Sequence, residues 1–241
     1  MVFRSAVVCG GLAAAFLAGC GALPGQPRKG SEVLAPSEVL RFENLYADNC
    51  AGCHGAEGKG GAAIALANPV YLAIVDDATL RKVIAGGVPK TAMPPFAQNA
   101  GGMLTDQQVD VITSEIRSRW GRNGTLDGVN APSYAPKVAG DRQRGASVYK
   151  AYCESCHGTG GRGGSKGSAV TNDSFLALVS DQGLRTMVIV GRPELGAPDW
   201  RANVPGKPMS DQEITDVVAW LVSERAPNAG QPYSFSDTAQ R

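Results

Sequence analysis

The chain has 241 residues, a length that suits two ordinary domains. Its 23 Lys and Arg balance 22 Asp and Glu, so no broad basic surface is available to neutralise nucleic-acid phosphates. Aromatic residues make up only 6% while glycines number 31, which leaves few bulky side chains for two cores and implies that something besides side chains fills them. Two histidines exclude any site that needs three imidazoles.

Reading from the N-terminus, Arg4 precedes a weakly apolar run, Ala6 to Ala18, that falls short of the about 20 residues a membrane span needs. It reads as the core of a signal peptide, residues 1–19. The run closes on Leu17-Ala18-Gly19-Cys20, which resembles the bacterial lipobox. That resemblance implies cleavage before Cys20 and acylation of its thiol, giving an exported, lipid-anchored protein. The alternative is an ordinary secretory peptide with Cys20 incidental. Residues 20–35, rich in Gly and Pro, read as a flexible tether.

From residue 41 onward the chain is written twice. Arg41, Leu45, Tyr46 and Cys50 match Arg144, Val148, Tyr149 and Cys153 at an offset of 103. Leu80, Arg81, Gly87 and Pro89 match Leu184, Arg185, Gly191 and Pro193 at 104, and Thr105-Asp106-Gln107 matches Ser210-Asp211-Gln212 at 105. Duplication is the economical explanation. It predicts one domain over residues 36–123, a Gly- and Pro-containing linker over 124–140, a second domain over 141–226 and a polar tail over 227–241.

The readable elements are helices, and the fold class is all-α. Ser37 to Asn49 carries apolar residues at helical spacing and runs into Cys50. A middle helix is expected near Asp77 to Ile84 and again near Ser180 to Val190. Thr105-x-x-Gln108 and Ser210-x-x-Glu213 are capping boxes that open an amphipathic closing helix in each copy. Between the middle and closing helices lies a loop of about twenty residues without strand pattern, a length that usually marks function.

Cys50-Ala51-Gly52-Cys53-His54 and Cys153-Glu154-Ser155-Cys156-His157 stand at equivalent places in the repeat. Cys-x-x-Cys-His is the attachment signature of c-type haem: two thiols add to the porphyrin vinyl groups and the next imidazole reaches the iron. A redox-active dithiol would need no histidine after both motifs. A four-cysteine zinc site would couple the two copies and leave both histidines unexplained.

Over about residues 38–225 the chain resembles tandem, two-haem class I c-type cytochromes, on these motifs, a Met-Pro loop and a closing helix, in that order and twice. The resemblance implies a small helical bundle around each of two covalent haem c groups, with one-electron transfer as the activity. Four cysteines go to thioethers, Cys20 to lipid and Cys9 is lost with the signal, so no disulfide is expected.

Both histidines being spent, each iron's second axial ligand must come from another residue type. Met93, in Ala92-Met93-Pro94-Pro95-Phe96, matches the family's distal thioether, with Met103 as competitor. In the second copy the offset of 104 puts Ala197 opposite Met93. Met209 is the nearest replacement and is taken as the expected ligand, although it aligns with Leu104 just before the Ser210 cap, where an apolar residue packs as a staple. Met187, opposite Val83, is expected in the core. A backbone carbonyl near Pro69 is a candidate to fix the His54 ring through its second nitrogen, with Asp173 opposite it in the second copy.

The expected function is a membrane-anchored cytochrome passing single electrons between a quinol-oxidising complex or dehydrogenase and a terminal oxidase or other acceptor, on the outer, periplasmic side of a bacterial membrane. The rival is an oxidoreductase that uses an open second haem for peroxide or sulfur chemistry. No nucleic acid is expected as a partner.

Overall fold

Capping and short-range periodicity set where the chain turns helical. The computed structural model describes residues 34–227; the signal segment, Cys20, most of the tether and the tail beyond Pro227 lie outside them. Among the described residues the regular structure is helical, with two isolated bridges, Ala97 with Leu104 and Arg192 with Ala197. None of these helices is long and apolar enough to cross a membrane. Residues 34–38 belong to a separate unit and include a short 3-10 turn, Pro36–Glu38. Everything below concerns the unit that starts at Val39.

The first half contains α1 (Phe42–Asn49), α2 (Ala51–His54), α3 (Pro69–Ile74), α4 (Asp77–Gly86) and α5 (Asp106–Trp120). The second repeats the order with α6 (Arg142–Tyr152), α7 (Glu154–His157), α8 (Asp173–Leu178), α9 (Asp181–Val190) and α10 (Asp211–Ser223). Both expected capping boxes form, at Thr105 with Gln108 and Ser210 with Glu213. The middle helices begin one residue after side-chain caps supplied by Asp76 and Ser180.

Helix α1 starts later than its apolar spacing suggests. The Val39 carbonyl accepts a bond from the Gln108 side chain (3.0 Å) instead of entering a helical ladder, and the ladder begins with the Arg41 carbonyl. Helices α3 and α8 were not anticipated. Each is six residues long and opened by an asparagine, Asn68 or Asn172, whose side chain accepts from backbone amides of the first turn. Their last carbonyls are satisfied from the far end of the half. Arg117 donates to the carbonyls of Leu72 and Val75 and pairs with Asp77 (2.6 Å); Arg225 does the same for Leu176, Val179 and Asp181. Orphan carbonyls at a helix end are thus closed by a guanidinium fork.

The linker does not run free. Arg185, 2% exposed, donates to the carbonyls of Ser133 and Tyr134 and pairs with Asp211, while Ser133 N–H donates to the same carboxylate (3.1 Å). The linker is therefore fastened to the second half. Between the halves, the Asn68 amide donates to the Val190 carbonyl (3.1 Å) and Arg192 donates to the Gly61 carbonyl (2.8 Å). One continuous apolar core reaches from Phe42 and Tyr71 to Trp200 and Val217.

Candidate haem-binding sites

Each Cys-x-x-Cys-His motif is folded as a single helical turn that follows the first helix with almost no break. Cys50 and Cys153 end α1 and α6 and at the same time start α2 and α7. The two thiols of a motif therefore stand one turn apart on one short helix, with the histidine as its last residue. Burial pushes the Cys50 thiol up to about 11, helped by Cys53, and the Cys153 thiol up to about 11, helped by Cys156. A nucleophilic dithiol is favoured by the opposite shift, so burial at Cys50 and Cys153 speaks against a redox dithiol. Among the described residues no three His, Cys, Asp or Glu gather as a metal cluster, which removes the shared zinc site.

The imidazoles are oriented in the same way in both halves. His54 Nδ1 lies 2.8 Å from the Ile64 carbonyl and His157 Nδ1 lies 2.8 Å from the Ser168 carbonyl. A carbonyl only accepts, so Nδ1 carries the proton and Nε2 presents its lone pair. Burial holds the buried His54 ring below its ordinary pKa, against the opposing bond to Ile64.

These carbonyls correct the expectation for the Pro69 segment. Pro69 is the first residue of α3, and Asp173 occupies the same place in α8. The ring is fixed by an earlier residue because the chain folds back at once after the histidine. Gly55 has φ of +83°, and a Cβ there would come within 1.9 Å of the Lys59 carbonyl oxygen; Gly158 has φ of +73° and would meet the Gly163 oxygen at 2.1 Å. The extra residue of the second copy falls inside this return loop, between His157 and Ser168.

Tyr46 and Tyr149, which the sequence marks as matching positions of the repeat and to which it assigns no part in the site, donate to the Gly55 carbonyl (2.9 Å) and the Gly158 carbonyl (2.6 Å). They lock the turn below each histidine. Their recurrence four residues before each motif was the available signal.

The long loop after the middle helix is also built twice on one hydrogen-bond pattern. Val88 N–H donates to the Met93 carbonyl (3.0 Å), and Arg192 N–H donates to the Ala197 carbonyl (2.9 Å). Phe96 N–H reaches Ala85 (3.1 Å) and Trp200 N–H reaches Ile189 (3.0 Å). Leu104 N–H donates to Phe96 (2.8 Å), and Met209 N–H donates to Trp200 (3.0 Å). Met93 is half-buried, whereas its competitor Met103 is 83% exposed. Met209 is 2% exposed, with its sulfur 3.7 Å from the Asn203 amide nitrogen. Met187, expected in the core, is half-buried on α9. Lys207, in the long loop of the second half, lies over the Tyr152 ring, 5.1 Å from its centroid.

The donor set fits covalent haem: two thiols one turn apart and an imidazole whose Nδ1 is held by a carbonyl, which leaves Nε2 free. Cys50, Cys53 and His54 would hold one haem c, and Cys153, Cys156 and His157 the other. Fold and donors together define a tandem class I c-type cytochrome.

The family described as "Cytochrome C oxidase, cbb3-type, subunit III" matches residues 37–113 and 140–221. The chain belongs to that family. It is 32% identical over 148 residues to the cbb3-type cytochrome c oxidase subunit CcoP of Azospirillum sp. (strain B510), covering 55% of this chain and 45% of that protein. It is 23% identical over 201 residues to the cytochrome bc1 complex cytochrome c subunit of Mycobacterium tuberculosis, covering 83% of this chain and 68% of the relative. The chain therefore spans under half the length of the CcoP relative. A solved structure, the Kuenenia stuttgartiensis reducing HAO-like protein complex Kustc0457/Kustc0458, aligns with TM-score 0.46 and 21% identity over 80% of this chain and 100% of that one.

Proposed function

We propose that the chain is an exported, lipid-anchored dihaem cytochrome that passes single electrons between a quinol-oxidising complex or dehydrogenase and a terminal oxidase. The observation that carries this reading is the duplicated turn: two thiols, then an imidazole locked by a carbonyl with its second nitrogen free. Bound at these turns, haem c supplies an iron that cycles by one electron. The residues hold it with little reorganisation. Cys50, Cys53, Cys153 and Cys156 would hold the haem edges covalently, the Ile64 and Ser168 carbonyls keep the two imidazoles oriented, and Met93 would supply the first haem with an uncharged, soft sulfur, a donor that favours reduced iron.

Relatives that are subunits of a cbb3 oxidase and of a bc1 complex support respiratory complexes as the partners. Cys20 and its preceding Leu-Ala-Gly support anchoring at the outer face of a membrane, where acyl chains give stable attachment. The test is holoprotein made in a host with cytochrome maturation. Intact mass should show two haems on a chain that begins at an acylated Cys20, and a reductive titration should take up two electrons per chain. A mass without haem on folded protein ends the proposal.

A further inference from the structure

We propose that the second haem, held by Cys153, Cys156 and His157, has no side-chain ligand opposite His157 and is a binding site for small π-accepting ligands such as carbon monoxide or nitric oxide. The inference rests on the two-haem reading above. The repeated loop is an internal ruler for the ligand position. Ala197 makes the backbone bond to Arg192 that Met93 makes to Val88, so the alanine occupies the place of the first half's thioether. The fit is confirmed one residue on. A Cβ on Gly87 would meet the Pro94 backbone at 2.5 Å, and one on Gly191 would meet the Pro198 backbone at 2.2 Å, so both loops press equally on the glycine that ends the middle helix.

Met209 does not restore the missing sulfur. Its amide bonds to Trp200 as that of Leu104 bonds to Phe96, and both residues precede a helix cap. Met209 therefore repeats Leu104, an apolar residue 6% exposed in the core, and its sulfur is already taken by the Asn203 amide. Met187 repeats the register of Val83 on the middle helix, a position that carries no donor in the first half. Other donors in the loop are engaged: Arg201 with Asp199 and the Trp200 ring, Lys207 with the Tyr152 ring, Asn203 with the Asp199 carbonyl and the Met209 sulfur. An alanine at the position equivalent to Met93 would leave a small apolar face in place of the sulfur. Such a face admits a neutral diatomic, which forms one dative bond to ferrous iron with no electrons exchanged.

The experiment is a carbon monoxide titration of the reduced, two-haem holoprotein, followed by absorbance, on wild type and on Ala197→Met, Met209→Leu and Met187→Leu. The wild type is expected to bind one carbon monoxide per chain. Ala197→Met should bind none when reduced and, in the oxidised protein, gain a second thioether-to-iron charge-transfer band. Met209→Leu and Met187→Leu should each keep the wild-type stoichiometry and spectrum. Uptake of none or of two by the wild type, or an added site on removing Met209 or Met187, overturns the proposal. The reductive titration on the same sample still reads two electrons per chain in any of these cases, so this assignment can fail while the electron-transfer reading stands.

Discussion

Arg81 and Arg185 are the same residue of the repeat in two environments, and the difference shows what the linker does. Arg81 pairs with Asp106 and Asp110 on an exposed surface. Arg185 makes the equivalent pair with Asp211 under the linker and also donates to Thr215 (2.9 Å). Arg185→Met leaves the Ser133 and Tyr134 carbonyls and the Asp211 carboxylate facing an apolar side chain. Arg185 is buried but Asp211 is about a third exposed, so breaking the pair costs less than the roughly 3 to 5 kcal/mol of a fully buried one, and the urea midpoint of the holoprotein should still fall clearly. Arg81→Met, on a solvated pair, should barely move it. Sequence alignment paired the two arginines correctly but carried no sign that only the second is covered, because burial there comes from a segment outside the repeat.

At the scale of elements, close packing of α6 on α10 depends on Gly145, which the repeat aligns with Phe42. In the first half Phe42 stacks against Tyr46 and Trp120, with ring centroids 5.3 Å and 5.9 Å apart. In the second half the ring is absent, and a Cβ at Gly145 would stand 2.0 Å from the Asp216 carbonyl oxygen. Gly145→Ala must push the two helices apart, and overpacking of this kind costs about 1 to 3 kcal/mol. Gly86, also helical but with open space around it, is the control: Gly86→Ala should stabilise by about 0.5 kcal/mol through the unfolded chain. Denaturant midpoints check both. The long helices were legible because caps and periodicity agree there. Helices α3 and α8 were missed because six residues show little periodicity, and their real markers were the capping asparagines, Asn68 followed by Pro69 and Asn172 followed by Asp173. The Cys-x-x-Cys-His motifs were legible as residues, whereas the carbonyls that hold the imidazoles were not, since a carbonyl has no residue identity.

For the whole molecule, acid sensitivity should concentrate on α10. Burial alone would raise the Asp216 carboxyl, but bonds from Arg144, from the Asp141 amide (2.8 Å) and from Gln212 (2.9 Å) together hold it below its ordinary 3.8. A depressed folded-state value means that Asp216 adds stability above the ordinary carboxylate range and loses it as pH falls through the folded value. Asp216→Asn should therefore be less stable than wild type near neutrality. The gap in urea midpoint should narrow as pH drops below about 4. A gap independent of pH would mean that the carboxylate's charge is not what ties α6 to α10.

The two halves are also tied to each other by a few polar bonds laid over a shared apolar core. Asn68 has a double duty: its oxygen accepts from the amides of Val70 and Tyr71 to cap α3, while its amide donates across to Val190. Serine keeps the cap and drops the donor, so Asn68→Ser isolates the bond between the halves. Combined with Arg192→Ala, which frees the Gly61 carbonyl, it removes both of the cross-half hydrogen bonds described above at a cost of about 1 kcal/mol each. Because the core runs through from one half to the other, the halves of the wild type are expected to melt in a single calorimetric transition. The double variant should split that transition in two while each half keeps its haem spectrum. If the variant still melts as one, the apolar contact alone couples the halves and the two polar bonds only set its register.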